Sequence, residues 1–255
     1  MKAGLRSEWH VFLIAVQFLT RVPVPRDLPF SDELLIRATR YYPLVGCGVG
    51  AVGAGVLGLS ALAVPMIVAV LLSMAATIFI TGAFHEDGLA DSADGLGGGM
   101  TRERALEIMR DSRIGTYGVV ALGLTLALKA ATLASFSVST AAVALIVAHI
   151  ISRAGAVHVI ATDAYAREVG AKFVAPTVAP EGYRFAMLSG AVAVGLAVIW
   201  FGAVASLLAG VTAILAAAVF RAMLLRKLQG YTGDCLGGIQ QLSEVGFYLG
   251  LALWL

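Results

Sequence analysis

The chain has 255 residues, 59% of them hydrophobic and 13% charged, with mean hydropathy +0.89 and net charge +2. An ordinary soluble domain carries about 25% charged residues, so this composition excludes one and predicts an all-α polytopic membrane bundle with the lipid bilayer as partner. So small a net charge argues against nucleic acid, and two cysteines, Cys47 and Cys235, make neither a disulfide framework nor a zinc-ligand spacing.

The first apolar stretch, 11–19, is interrupted by Gln17 and runs into "TRVPVP" without a small-residue cleavage site, so it does not read as a signal peptide. Residues 9–20 are too short to span and predict an interfacial or re-entrant helix within an N-terminal cytoplasmic segment, 1–43. A crossing helix needs about 20 mainly apolar residues. Six stretches qualify: 44–62, 66–84, 117–136, 140–161, 185–204 and 207–225. A seventh, 236–255, must borrow the polar "CLGGIQQLSE" to reach the far side. The chain therefore reads as one integral membrane domain, 1–255, of six to seven spans. Inside the first span, "GVGAVG" (48–53) fits a dinucleotide pattern, but no strand precedes it and no acidic residue follows at the ribose position. Gly46, Gly50, Ala54 and Gly58 instead form a small-residue stripe on which another helix packs.

Lys and Arg are enriched in cytoplasmic loops. Lys2, Arg6, Arg21, Arg26, Arg37 and Arg40 precede the first span; Arg102, Arg104, Arg110 and Arg113 follow the second. Arg167, Lys172 and Arg184 follow the fourth, and Arg226 and Lys227 the sixth, while the intervening connections carry no charge. Every acidic residue is expected on the same side or at its border. One chemically equipped, cytoplasmic face argues for an enzyme over a carrier, which must open its site to both sides. Lys129, His149, Arg153, His158 and Arg221 lie in or near spans. Arg153 and Arg221 either snorkel to the interface or bind a large ligand, and Arg153 is carried as a substrate-binding candidate. His149 and His158 fall on opposite helix faces and make no metal pair.

"FHEDGLADSADG" (84–95) carries the most specific signal. In a helix, Asp87, Asp91 and Asp94 share a face at i, i+4 and i+7 with Glu86 beside them, and such like charges repel. Oxygen donors in this number suit Mg²⁺, held together with substrate phosphates, whereas an EF-hand spacing is absent. Gly97, Gly98 and Gly99 then break the helix and allow close approach of a ligand. "TRERALEIMRDSRIGTYG" (101–118) predicts a surface amphipathic helix followed by Arg110 and Arg113, whose planar guanidinium groups grip phosphate. Positive-inside anchoring accounts for Arg102 and Arg104, and Gly115 and Gly118 suggest a shaped loop. "GYTGDCLGGIQQLSE" (230–244) isolates Asp234 among glycines and hydroxyls. Carboxylates for a metal beside arginines for phosphate are the parts of phosphoryl transfer.

"LTRVPVP", "YYPLVG", "FHEDGLADSADG", "MRDSRIGTYG" and "GYTGDCLGGIQQLSE", in this order along almost the whole chain, strongly resemble the cobalamin synthase (adenosylcobinamide-GDP ribazoletransferase) family. The resemblance implies a Mg²⁺-dependent enzyme of the prokaryotic cytoplasmic membrane. It would join α-ribazole, or its 5′-phosphate, to adenosylcobinamide-GDP, releasing GMP in the last steps of vitamin B12 synthesis. On that reading Glu86, Asp87, Asp91 and Asp94 hold metal, Arg110, Arg113 and Arg153 bind substrate, and either His85 or Asp234 takes the proton of the attacking hydroxyl. Two alternatives are a CDP-alcohol-type phosphotransferase, whose second aspartate pair is not found after Asp94, and a metal or corrinoid transporter. Assembly into a homo-oligomer is permitted by the sequence and not specified by it.

Overall fold

The computed structural model describes residues 2–167 and 176–255; Lys172 lies outside them, as do the side chains of Lys2 and Arg6. The described residues form helices α1 (Lys2–Leu19), α2 (Asp32–Ala38), α3 (Tyr42–Ser60), α4 (Met66–Thr81), α5 (Phe84–Gly98), α6 (Arg102–Ile108) and α7 (Thr116–Ser135). After these come α8 (Val138–Thr162), α9 (Pro180–Phe201), α10 (Ala203–Leu228) and α11 (Gly233–Ala252). No strand forms among them; one isolated parallel bridge joins Tyr165 to Tyr231. The fold is an all-α polytopic membrane bundle. Five helical segments are long and apolar enough to cross a bilayer: α2 running into α3, then α7, α8, α9 and α10. The outer faces of α9 and α10 leave Leu188, Ile199, Leu207, Ile214 and Val219 exposed, as contact with lipid requires.

The expected span 66–84 is corrected. It stops at Thr81, where Gly82 (φ 67°) and Ala83 (φ 59°) both turn left-handed, and α5 departs at 87° to α4. Glycine takes this conformation freely; alanine does so at a cost, so the surroundings must hold the joint. The amide of Arg21 donates to the carbonyl of Ile80 at 2.7 Å, satisfying an acceptor the helix end leaves open. The Arg21 side chain also lies directly over Gly82, leaving no room for a Cβ. The "LTRVPVP" stretch thus braces the joint, and α5 lies across the end of the bundle as a rim helix.

The small-residue stripe of α3 is corrected in register. A Cβ on Gly46 would collide with the His149 carbonyl of α8, one on Gly50 would stand 2.7 Å from Ile146 Cα, and one on Gly53 2.8 Å from Thr77 Cγ2 of α4. Gly58 meets nothing within 4 Å. The seam follows 46, 50, 53 and 57 because a helix turns every 3.6 residues, whereas a strict four-residue step drifts off the face.

The segment expected at 236–255 is helical from Gly233 and lies in the middle of the bundle, packed by α5, α7, α8 and α10 and buried along nearly its whole length. Its polar side chains Gln240, Gln241, Ser243 and Glu244 all point inward. Glu244 is 0% exposed, which corrects the expectation that every acidic residue sits at one face or its border. At the other terminus α1 is longer than the expected 9–20. Its Glu8 accepts from Arg37 at 2.8 Å, from Tyr41 at 2.8 Å and from Arg40, tying α1 to the segment that leads into α3.

Candidate active site

Helices α5 and α11 cross backbone to backbone. A Cβ on Gly88 would stand 2.5 Å from the carbonyl oxygen of Asp234, and one on Gly237 would stand 2.8 Å from that of His85. Only glycine permits this approach, and it brings Asp234, in the first turn of α11, within electrostatic reach of Asp91, which Asp87 also reaches. Arg167 donates to Asp234 at 2.7 Å, and the Thr232 hydroxyl donates to the same oxygen at 3.2 Å. Asp87 is exposed and Asp91 half-buried, and neither makes a side-chain hydrogen bond or ion pair with the described residues. Burial, then the negative charges of Asp87, Asp234 and Asp94, push the Asp91 carboxyl up to about 7, with only Arg167 opposing. The rim of α5 therefore holds negative charge that the described chain leaves uncompensated.

The four carboxylates of the acidic stretch divide into three environments. Asp94 is buried and accepts from the amides of Gly115 at 2.7 Å and Gly118 at 2.8 Å, so it caps the N-terminus of α7 from a different helix. Those two glycines shape the loop because a Cβ on either would run into the Asp94 carboxylate. Glu86 turns into the bundle, where its Oε1 accepts from Gln241 at 2.9 Å and its Oε2 is buried without a partner among the described residues. Asp87 and Asp91 alone stay at the rim. His85 is 5% exposed, and the charges of Arg153, Glu244 and Lys129 in the interior act on it. Tyr117, Ile108 and Ala105 stand close to where a Cβ on Gly97, Gly98 and Gly99 would lie, and α5 runs on through Gly98 instead of breaking at the triplet, while Gly97 and Gly98 stay exposed. The expected surface helix, α6, is thereby seated on α5 through Ala105 and Met109, both buried.

The arginines also separate. Arg113 lies in the exposed loop and pairs with Asp111 at 2.7 Å; its hydrogen bonds hold the Asp111 carboxyl down to about 2. Arg110 is exposed on the same loop, and its charge reaches Tyr165, as do those of Arg167 and Asp234. Arg153 does not snorkel: it is 2% exposed, 2.9 Å from His149 Nδ1, in the bundle interior. Arg221 pairs with Asp163 at the end of α8. Two arginines that sequence reasoning assigned only to orientation have structural partners. Arg167 holds Asp234, and Arg102 donates to the carbonyls of Leu228 at 2.8 Å and Ala166 at 2.5 Å, joining α6 to the loop that carries Arg167. Arg167 lies in no motif, and Arg102, though inside 101–118, finds its partners 126 and 64 residues away.

Among the described residues, no three His, Cys, Asp or Glu side chains stand in an arrangement that holds a metal ion. The donor chemistry nevertheless fits a hard cation, because Asp87, Asp91 and Asp234 offer only oxygen and their mutual repulsion is what a cation relieves.

A family model described as cobalamin-5-phosphate synthase matches residues 11–252. The adenosylcobinamide-GDP ribazoletransferase of Leptothrix cholodnii is 46% identical, over 97% of this chain and 97% of its own. Proteins of the same name from Shewanella amazonensis and Ralstonia pickettii are each 44% identical, covering 97% and 99% of this chain and 96% and 98% of theirs. No solved structure matches. The similarity runs through every helix that builds the α5–α11 crossing, and the chain belongs to the cobalamin-5-phosphate synthase family.

Proposed function

We propose that the chain joins α-ribazole, or its 5′-phosphate, to adenosylcobinamide-GDP with release of GMP, at the rim of α5, as a Mg²⁺-dependent enzyme. The reading is supported by the names of its relatives and, within the molecule, by one observation: the unpartnered carboxylates Asp87 and Asp91 beside Asp234. Asp87 and Asp91 would hold Mg²⁺, which supplies positive charge to the non-bridging oxygens of the pyrophosphate when bound. A ribose hydroxyl that is free in both α-ribazole and its 5′-phosphate, and so not the 5′-hydroxyl, attacks the phosphorus on the cobinamide side and gives up its proton, the P–O bond to GMP breaks, and GMP carries away the negative charge.

Asp234 is the better-placed group to receive the hydroxyl proton, since it opens to the same rim, while His85 faces the interior. Arg167 and Thr232 keep its carboxylate oriented. Arg110 and Arg113 lie on an exposed loop beside the rim, where guanidinium groups can bind the guanosine diphosphate oxygens. Arg153, fully buried, belongs to the bundle interior instead of the substrate-contacting set.

Purified protein incubated with both substrates is expected to release GMP and form a corrinoid product with Mg²⁺ present and to stop in EDTA. GMP release that persists in EDTA would remove the metal, and transport without GMP would remove the reaction. The rim is assigned to the cytoplasmic side of the prokaryotic inner membrane by its arginines. An Asp111→Cys variant should then react with an impermeant maleimide in inverted vesicles and stay unlabelled in right-side-out ones; the opposite pattern would reverse the topology.

A further inference from the structure

Behind the rim, α5, α7, α8 and α11 share buried charged and amide side chains that the proposed chemistry does not use. Lys129 Nζ stands 2.9 Å from Glu244 Oε1 and donates to Gln241 Oε1 at 3.2 Å. Glu244 also accepts from Tyr248 at 2.9 Å and from Gln240 at 2.6 Å. Gln241 turns its amide nitrogen to Glu86 Oε1 at 2.9 Å. Arg153, through His149, closes the cluster on the α8 side, so two cations, Lys129 and Arg153, face two carboxylates, Glu86 and Glu244. Every one of these four is under 10% exposed. Ion pairs buried this deeply contribute little net stability, which leaves specificity of arrangement as a reason to retain them.

The left-handed joint at Gly82 and Ala83 directs the chain into α5, whose middle is held by the Gly88 crossing with α11 and whose later turns are held by Asp94, while Glu86 supplies a side-chain tie at its first turn. Glu86 lies in that first turn, one residue before Asp87 and five before Asp91. A carboxylate at about 5–6 Å from a helix axis moves about 1 Å for a 10° rotation. A misplacement of that size at a reacting centre costs on the order of 10²-fold in rate. We propose that Gln241, anchored by Lys129 and Glu244, holds Glu86 and thereby sets the rotation of α5 that points Asp87 and Asp91 at Asp234. Gln241 and Glu86 are positioning residues, and the inference rests on the phosphoryl-transfer reading of the rim.

Gln241→Leu removes the link with little change of volume and leaves the Lys129–Glu244 pair in place. Its kcat for GMP release is expected to fall about 10- to 100-fold, with KM for adenosylcobinamide-GDP within about threefold and the Mg²⁺ midpoint raised. Thr212→Val, which deletes another interior tie, the 2.7 Å bond from Thr212 Oγ1 to the Gly246 carbonyl, should lower the melting temperature comparably and keep kcat. The double variant Glu86→Gln/Gln241→Leu should fall no further than the stronger single, because both act through one contact. Wild-type kcat in Gln241→Leu, multiplied losses in the double variant, or an equal kcat loss in Thr212→Val would overturn the assignment. Full activity of Asp91→Asn beside an impaired Gln241→Leu would instead show that the rim reading failed, and the positioning role with it.

Discussion

Asp91→Asn is expected to abolish Mg²⁺-dependent GMP release, by about 10²- to 10³-fold or more, in protein that still folds and elutes normally in detergent. The loss is that of a preorganised charged group at a phosphoryl centre. Asparagine keeps the size of the side chain and removes its charge from among those of Asp87, Asp94 and Asp234. The same substitution has an opposite effect on stability, and its pH dependence follows from the sign of the shift. The folded carboxyl is raised to about 7 from an ordinary 3.8, so the charged form is disfavoured in the folded state. That penalty is full above about pH 7 and disappears as pH falls toward 4. Metal-free Asp91→Asn should therefore melt higher than the parent at neutral pH and match it near pH 4. Added Mg²⁺ should stabilise the parent and leave the variant unmoved. An active Asp91→Asn, or a variant that melts lower at neutral pH, would take Asp91 out of the site.

Lys129→Met should be the most destabilising of the interior changes. The substitution keeps an unbranched side chain in the same space and leaves Glu244, 0% exposed, without the cation 2.9 Å away. Breaking a buried pair from one side costs about 3–5 kcal/mol, since the remaining charge can reach no water. Adding Glu244→Gln removes that stranded charge, and the double variant should recover a large part of the loss. Detergent melting curves of the two singles and the double give the coupling directly, and additive losses would show that the two residues do not act as a pair.

Much of the fold is legible because a bilayer imposes a simple rule on composition: long apolar stretches become helices, and α7, α8, α9 and α10 follow it. The break at Gly82 is not, since "ITGAF" contains no proline and reads as continuous apolar chain until the backbone turns. The fate of α11 was hidden for a related reason. Hydropathy counts polar residues against membrane burial, whereas Gln240, Gln241 and Glu244 are buried by pairing with one another and with Glu86 of α5, Lys129 of α7 and Ser152 of α8. The acidic face of α5 was visible from spacing, and its division was not. Asp94 finds its partners 21 and 24 residues away, and Glu86 finds its partner 155 residues away. A one-dimensional pattern places four carboxylates together; only tertiary contacts decide which of them are already engaged.

The interior place of α11 bears on how the chain is made. Among the described helices it is made after all the others, and its amides and Glu244 make it a poor candidate to enter lipid alone. It can settle only where Lys129 of α7, Ser152 of α8 and Glu86 of α5 already wait to pair with it. Asp234 travels with this helix, so the rim gains its third carboxylate only after α5 and α7 are already made, and a chain cut before Gly233 has the membrane-spanning helices but no Asp234 beside Asp91.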